Sequence, residues 1–146
     1  DDNLAAIALQ QAKKMADEID LFYSNSIYNG KNLGENFFYC YTFDGTSCLP
    51  QYDMALTWYN EYYNYCMSSH TFPKEARNFI TMIWKDTKLM GCGIEYRRLF
   101  DTIDGYFTVC NYYPGPHPEL GDTAEEIARN LQDRIGVDDL GKKPNC

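Results

Sequence analysis

The spacing of apolar residues predicts four helices along the chain. In the first, residues 4–19, apolar side chains recur every three or four positions, and Asp1 or Asp2 can cap its start. The second, residues 53–66, places Met54, Trp58, Tyr62 and Tyr65 on one face, and the third covers roughly residues 74–85. The last is predicted over 122–136, with a capping box of Asp122 and Glu125 at its start, Ile127, Leu131 and Ile135 in steps of four, and Gly136 at its end.

Three segments have the pattern of β-strands. Residues 37–43 alternate and are aromatic, and residues 91–96 and 105–112 are predicted as two antiparallel strands joined by the polar stretch RRLFDTID. Residues 23–32 are predicted as a loop with a turn at Asn29-Gly30, and the proline-rich stretch YYPGPHPEL cannot continue a sheet ladder. Helices grouped around a small antiparallel sheet predict an α+β sandwich, and residues 1–146 are predicted to form a single domain.

Charge and hydropathy narrow the classes of partner. The 146 residues carry a formal net charge of -8, which argues against nucleic acid or an anionic membrane as the main partner. The acidity is equally typical of a protein that only needs to stay soluble. No run of about 18 apolar residues is present, so we expect no membrane span. Thirteen tyrosines give the chain many amphipathic side chains suited to contact surfaces.

The six cysteines indicate an oxidising compartment. They contain no CxxC pair, a pattern that favours disulfides over metal or thiol chemistry and predicts an extracellular, secreted protein. The chain nevertheless opens with DDNLAAIALQQ, which has none of the features of a signal peptide. Either such a peptide has been removed or the sequence starts within a longer protein.

Four separated motifs resemble one family. They are DDNLAAIALQQAKKMA at the start, GENFFYC from Gly34, WYNEYYNY from Trp58, and NFITMIWKDTKLMGCG followed by YFTVCNYYPGP. In this order they resemble the CAP superfamily of cysteine-rich secretory proteins, antigen 5 allergens and pathogenesis-related class 1 proteins. The resemblance covers residues 1–116 and implies an α-β-α sandwich. Residues 117–146 form a divergent C-terminal tail with an extra helix, and the first family helix has no counterpart here.

The resemblance also bears on the disulfides. In the family the cysteine of the GCG phrase commonly bridges to the cysteine of the following CNY strand, which implies a bond between Cys92 and Cys110. Cys40 and Cys48 are close enough in sequence to close a local loop. Cys66 and Cys146 then remain as partners.

The family often carries a cleft with two histidines and two glutamates that can bind a divalent metal. Glu35 and Glu61 match its glutamates, but Asn78 stands where one histidine is expected, and the other belongs to the helix without a counterpart. Two carboxylates without imidazole are a poor zinc site, so we expect no metal, no cofactor and no catalytic residue. A gapped alignment could bring His70 toward the cleft, although a solvated loop histidine is the simpler interpretation, and His117 lies between prolines.

Other enzyme signatures are missing from the sequence. It has no G-x-S-x-G phrase, no dinucleotide or phosphate-loop fingerprint, and no glycosidase-like context for the two glutamates. The resemblance implies a secreted, non-enzymatic binding protein, an effector or immunomodulator like the parasite venom-allergen-like proteins, which engages a host or partner protein. The alternative is a carrier of sterol or fatty acid in an apolar groove. Without the first family helix, we expect an uncovered apolar face on the opening helix.

Overall fold

The computed structural model describes residues 1–43, 48, 51–66, 69–117 and 123–131. Four α-helices and five strands are found there: α1 (Asp2–Glu18), β1 (Ile27–Tyr28), β2 (Lys31–Asn32), β3 (Gly34–Phe43), α2 (Gln51–Asn60), α3 (Arg77–Met82), β4 (Leu89–Phe100), β5 (Ile103–Tyr113) and α4 (Ala124–Asn130). Between α2 and α3 the chain forms two 3-10 helices, Glu61–Asn64 directly after α2 and Lys74–Ala76 directly before α3.

A three-stranded antiparallel sheet lies at the centre of the molecule. Its strand order is β3-β5-β4, so β5 is the middle strand, with Val109 opposite Phe37 on one side and Gly93 on the other. Helix α1 packs on one face, while α2 and α3 pack on the opposite face. The predicted α+β class with a small antiparallel sheet is confirmed. None of the described helices is long and apolar enough to cross a membrane.

Two glycines let α1 lie directly on the sheet. Five apolar side chains of the helix are buried: Leu4, Ala8, Ala12, Met15 and Ala16. A Cβ on Gly91 would lie 2.3 Å from the backbone nitrogen of Ala5, and one on Gly93 would lie 2.2 Å from that of Leu9. Both distances are far below contact, so no other residue fits without moving the helix. The glycines on either side of Cys92 are therefore required by the contact with α1.

The opposite face holds a second, aromatic core. Its buried residues come from the two 3-10 helices, α3, the segment after α3, and α4: Tyr62, Tyr65, Ala76, Phe79, Ile80, Trp84, Ile127 and Leu131. Trp58 of α2 packs against Cys110 and Tyr112 of the sheet, and its indole nitrogen donates to the carbonyl oxygen of Phe37 at 3.1 Å. Helix α4 therefore belongs to this face of the sandwich.

The structure describes two disulfides in full. Cys92 is joined to Cys110, directly opposite it on the neighbouring strand, with Cα atoms 4.1 Å apart. Cys40 is joined to Cys48, with Cα atoms 6.2 Å apart. Cys66 is disulfide-bonded as well, and its predicted partner, Cys146, lies outside the described residues.

Several predicted boundaries are wrong. The second helix does not run to residue 66, because the chain tightens into a 3-10 turn after Asn60. Tyrosine and asparagine, which dominate this segment, are weak helix formers, and the 3-10 turn buries Tyr62 and Tyr65. The third helix likewise begins as a 3-10 turn and ends at Met82, so Trp84 follows it. Residues 27–32, predicted as a loop, contain the short hairpin β1-β2 around the predicted turn at Asn29-Gly30.

The polar stretch between the last two strands is not a loop. Its residues extend both strands and leave only Asp101 and Thr102 in the turn. Charged side chains are accommodated in the ladder because they form ion pairs, Arg97 with Asp17 of α1 and Arg98 with Asp104. The polar composition of this stretch led to the prediction of a loop. The ion pairs, which the composition does not reveal, stabilise strands instead.

The start of α4 also differs from the prediction. The N-cap is Thr123, whose hydroxyl accepts from the amide of Glu126 at 3.2 Å, while the Glu126 carboxylate accepts from the amide of Thr123 at 2.9 Å. The capping box thus lies one residue beyond the predicted pair of Asp122 and Glu125. Asp122, Ile135 and Gly136 lie outside the described residues.

The expected apolar outer face of α1 is limited to a shallow depression lined by Ala6, Ile7 and Leu9 together with Gln10 and Lys13. Exposed positions on α1 are mostly polar, among them Gln10, Lys13 and Asp17, because the apolar stripe faces the sheet. Large exposed apolar side chains begin at Ile19, which is the C-cap of the helix and is 56% exposed. The large exposed apolar side chains in this part of the chain therefore lie beyond the end of α1.

Candidate functional site

The three residues selected by the family resemblance lie on three different elements. Glu35 is the second residue of β3, Glu61 opens a 3-10 helix, and Asn78 is in the first turn of α3. They belong to the region where the start of β3 meets α3. The contacts of each show what the arrangement can do.

Glu61 and Asn78 are directly bonded to each other. The Asn78 side-chain amide donates to Oε1 of Glu61 at 2.6 Å, and the backbone amides of Asn78 and Phe79 donate to Oε2 at 2.7 and 3.2 Å. These backbone amides belong to the first turn of α3, where helical N–H groups have no intrahelical partner. Helix α3 has no capping hydrogen bond from the side chain of its own N-cap, Ala76. The Glu61 carboxylate therefore caps the helix from a distance in sequence.

Glu35 has a separate set of partners. It is 6% exposed, and its two carboxylate oxygens accept from the backbone amide and the hydroxyl of Ser24 at 2.9 and 2.5 Å. Burial raises the pKa of Glu35, while the hydrogen bonds from Ser24 and the charge of Arg77 oppose the rise. The Arg77 guanidinium lies 3.4 Å from the ring centroid of Tyr23, so it is held by a cation–π contact beside this carboxylate.

Asn36 links the strand that carries Glu35 to the helix residue that binds Glu61. It follows Glu35 in β3, is fully buried, and donates from Nδ2 to the carbonyl oxygen of Asn78 at 3.0 Å. Asn36 is part of the sequence motif GEN, but its role depends on a bond to Asn78 of α3, which lies 42 positions further along the chain. Ser24 and Arg77 were also missed as neighbours of Glu35, and no sequence pattern identified them.

The residues present do not fit the family's metal site. Both oxygens of Glu61 already accept from amides, and both oxygens of Glu35 accept from Ser24. Asn78 is held by its bond to Glu61, and an amide is a weaker ligand for zinc than an imidazole. Across the described part of the chain, no group of three histidine, cysteine, aspartate or glutamate side chains is arranged to hold a metal ion.

Neither histidine belongs to this site. His70 is exposed and adopts a positive φ of 46°, and within the described ranges no contact joins it to either glutamate. His117 instead lines a polar depression of about 600 Å³ together with Trp84, Lys88 and Arg129. The prediction of a solvated loop histidine agrees with the exposure of His70.

A family comparison identifies the domain type. The model of the cysteine-rich secretory protein family, CAP, matches residues 1–112. This range includes the three candidate residues and both described disulfides, and it ends just before the end of β5.

Three solved structures have similar folds. Venom allergen-like protein 4 of Schistosoma mansoni is 24% identical with a TM-score of 0.52, covering 86% of this chain and 75% of that one. The hookworm platelet inhibitor is 17% identical with a TM-score of 0.54, covering 81% and 56%. BmVAL-1 is 18% identical with a TM-score of 0.55, covering 84% and 60%. The matched region is thus well short of the full length of the second and third proteins.

Proposed function

Because the chain belongs to the cysteine-rich secretory protein family, we propose that it is a secreted protein that acts by binding a partner protein, without catalysis. One observation supports this most strongly: the oxygens of Glu35 and Glu61 are occupied by structural hydrogen bonds. A general acid or base must instead present its carboxyl group to a substrate. We assign both residues a structural role.

The disulfides support an extracellular setting. Each described cysteine is bonded, and structural disulfides persist in oxidising compartments. Among the similar folds is a protein named a platelet inhibitor, a name that implies a host target for that protein. An effector that engages a host protein is therefore the proposed role of this chain, and its net charge of -8 favours a protein partner over nucleic acid.

The test is cell-surface binding by the full chain. Protein labelled with a photo-crosslinker should bind target cells saturably, be displaced by unlabelled protein, and lose binding after the cells are treated with trypsin. The variant Glu35→Gln should bind equally well, because Glu35 is buried behind Ser24. Binding that survives trypsin, or hydrolytic activity that Glu35→Gln abolishes, would refute the proposal.

The alternative of a lipid carrier is separated by native mass spectrometry. A carrier of sterol or fatty acid should copurify with one bound lipid per chain. For the proposed role we expect the purified chain to have its polypeptide mass and to show saturable binding to cells. A stoichiometric lipid without binding to a cell-surface protein would favour the carrier.

A further inference from the structure

One end of the central sheet extends beyond the helix that covers it. Helix α1 has 17 residues and β4 has 12. At about 1.5 Å per helical residue and about 3.3 Å per strand residue, these lengths are about 25 Å and about 40 Å. The N-terminal half of α1 lies over Gly91 and Gly93, near the start of β4. Within the described residues, the far end of the sheet is consequently left without a helix on this face.

Large apolar side chains occupy the uncovered end. We call this surface the distal patch: Ile19, Leu21, Tyr39, Tyr41, Phe43 and Phe100. Five of its six members are prominently exposed, from Leu21 at 41% to Phe100 at 68%. Exposed apolar residues scattered singly are normal, whereas a contiguous group marks an interaction surface.

The members of the distal patch are contiguous. Along β3, the ring of Tyr41 lies 6.0 Å from those of both Tyr39 and Phe43. Across the sheet, Phe43 and Phe100 are both paired with the same residue of β5, Ile103, so the three share one face. At the edge of the distal patch next to the end of α1, a depression of about 330 Å³ is lined by Ile19, Leu21 and Tyr39.

Acidic groups border the distal patch. Glu18 and Asp20 are exposed at the end of α1, where the negative end of the helix dipole adds to their charge, and Asp101 is exposed in the turn beside Phe100. The two nearby cations are already paired, Arg97 with Asp17 and Arg98 with Asp104, and Arg98 also donates to the carbonyl oxygen of Asp101 at 2.8 Å. The surface therefore combines an apolar centre with a negative rim.

We propose that the distal patch is the docking surface for a polypeptide segment of the partner whose aromatic or aliphatic side chains are flanked by lysine or arginine. The apolar anchors would enter the depression and cover the tyrosines, while the basic flanks would face Glu18, Asp20 and Asp101. A second copy of this chain, or an anionic membrane, would bring like charges together at the rim. This inference rests on the proposed binding function and assigns it a surface.

The probe for this surface is a displayed library of random 16-residue peptides selected on the immobilised full chain. We expect enrichment of peptides that carry aromatic or aliphatic residues next to lysine or arginine. The variant Tyr41→Ser with Phe43→Ser should retain the enriched peptides at least tenfold more weakly, and Glu18→Lys with Asp101→Lys should weaken them and reduce their salt dependence. These side chains are exposed, so a cooperative urea transition like that of the wild type should verify folding.

A matched control lies on the other side of the molecule. Leu56 of α2 is 53% exposed, so Leu56→Ser removes a comparable apolar side chain outside the distal patch and should not change peptide retention. The inference is overturned by no enrichment, by acidic enriched peptides, or by equal retention on the Tyr41 and Phe43 variant. It is also overturned if sedimentation shows a dimer, or flotation shows binding to phosphatidylserine vesicles, that this variant abolishes.

The cell-binding assay separates this inference from the function on which it rests. If the wild-type chain binds cells and the Tyr41→Ser, Phe43→Ser variant binds equally well, the distal patch is wrong and the binding function stands. If neither binds a cell-surface protein, the proposed function itself fails.

Discussion

Replacement of Glu61 by alanine tests whether this carboxylate is a structural cap. The change removes three hydrogen bonds, two from backbone amides of α3 and one from the side chain of Asn78. Loss of a capping side chain costs about 0.5–2 kcal/mol, and hydrogen bonds to a charged group are the stronger ones. The Asn78 side-chain bond is lost in addition. Because water reaches this half-exposed site, we expect a total of about 2–3 kcal/mol.

The companion change Asn78→Ala removes only one of the three bonds. It should cost about 1 kcal/mol, and most of that cost should disappear when Glu61 is already alanine. A control is Glu75→Ala, which removes the same charge near the same helix but from an exposed side chain, and should change stability by less than about 0.5 kcal/mol.

The assays are urea unfolding and thermal melting of the four variants and the wild type, with all disulfides intact. For a chain of 146 residues each kcal/mol corresponds to about 3 °C in melting temperature, so Glu61→Ala should melt about 6–9 °C below wild type. A cost no larger than that of Glu75→Ala would refute the cap. Equal costs for Glu61→Ala and Asn78→Ala that simply add in the double variant would refute the bond between them.

Three further predictions concern the sheet and the second carboxylate. Gly93→Ala should destabilise the protein by about 1–3 kcal/mol or more, because its Cβ meets the backbone of the helix. Gly105→Ala meets only side chains, those of Leu99 and Phe107, at 3.0 and 3.2 Å and should cost less; similar urea midpoints would contradict this. Removing the Cys92–Cys110 bond, which spans 18 positions, should lower the free energy of unfolding by about 3 kcal/mol. Thermal melting of the variant with both cysteines replaced by alanine measures this loss, and an unchanged melting temperature would contradict the prediction. Because burial raises the pKa of Glu35 above 4.5, the native state keeps this proton to higher pH than the unfolded chain, and stability falls as pH rises through that window. Glu35→Gln should flatten this fall, measured by urea unfolding at a series of pH values upward from the ordinary pKa of a glutamate, and a steeper fall would contradict the sign.

The long, strongly periodic elements were predictable from the sequence. The apolar stripe of α1 and the strand-forming residues of β5 indicate their type without help, since α1 buries one face and the middle strand is buried on both. The ends were harder because they depend on distant partners. Arg98 extends β4 only because Asp104 faces it across the turn.

The site was predictable only in part, for the same physical reason. The motifs indicated that Glu35, Glu61 and Asn78 matter, but they did not show what satisfies each carboxylate. Ser24 lies 11 positions from Glu35, and Asn78 lies 17 positions from Glu61, so both contacts form only after the chain folds. Only the folded geometry shows that both carboxylates accept structural hydrogen bonds.

The bond between Cys92 and Cys110 divides the β4-β5 hairpin into two halves with different freedom to open. The half toward the turn is a closed covalent ring that contains Phe100 and Ile103. Local unfolding that begins at the open end of the hairpin cannot separate these strands beyond the bond, and a small ring has little entropy to gain by opening. Amide hydrogen exchange in the turn half should thus be uncoupled from fraying of the other half. A partner that docks at this end would meet strands already held in register before it arrives.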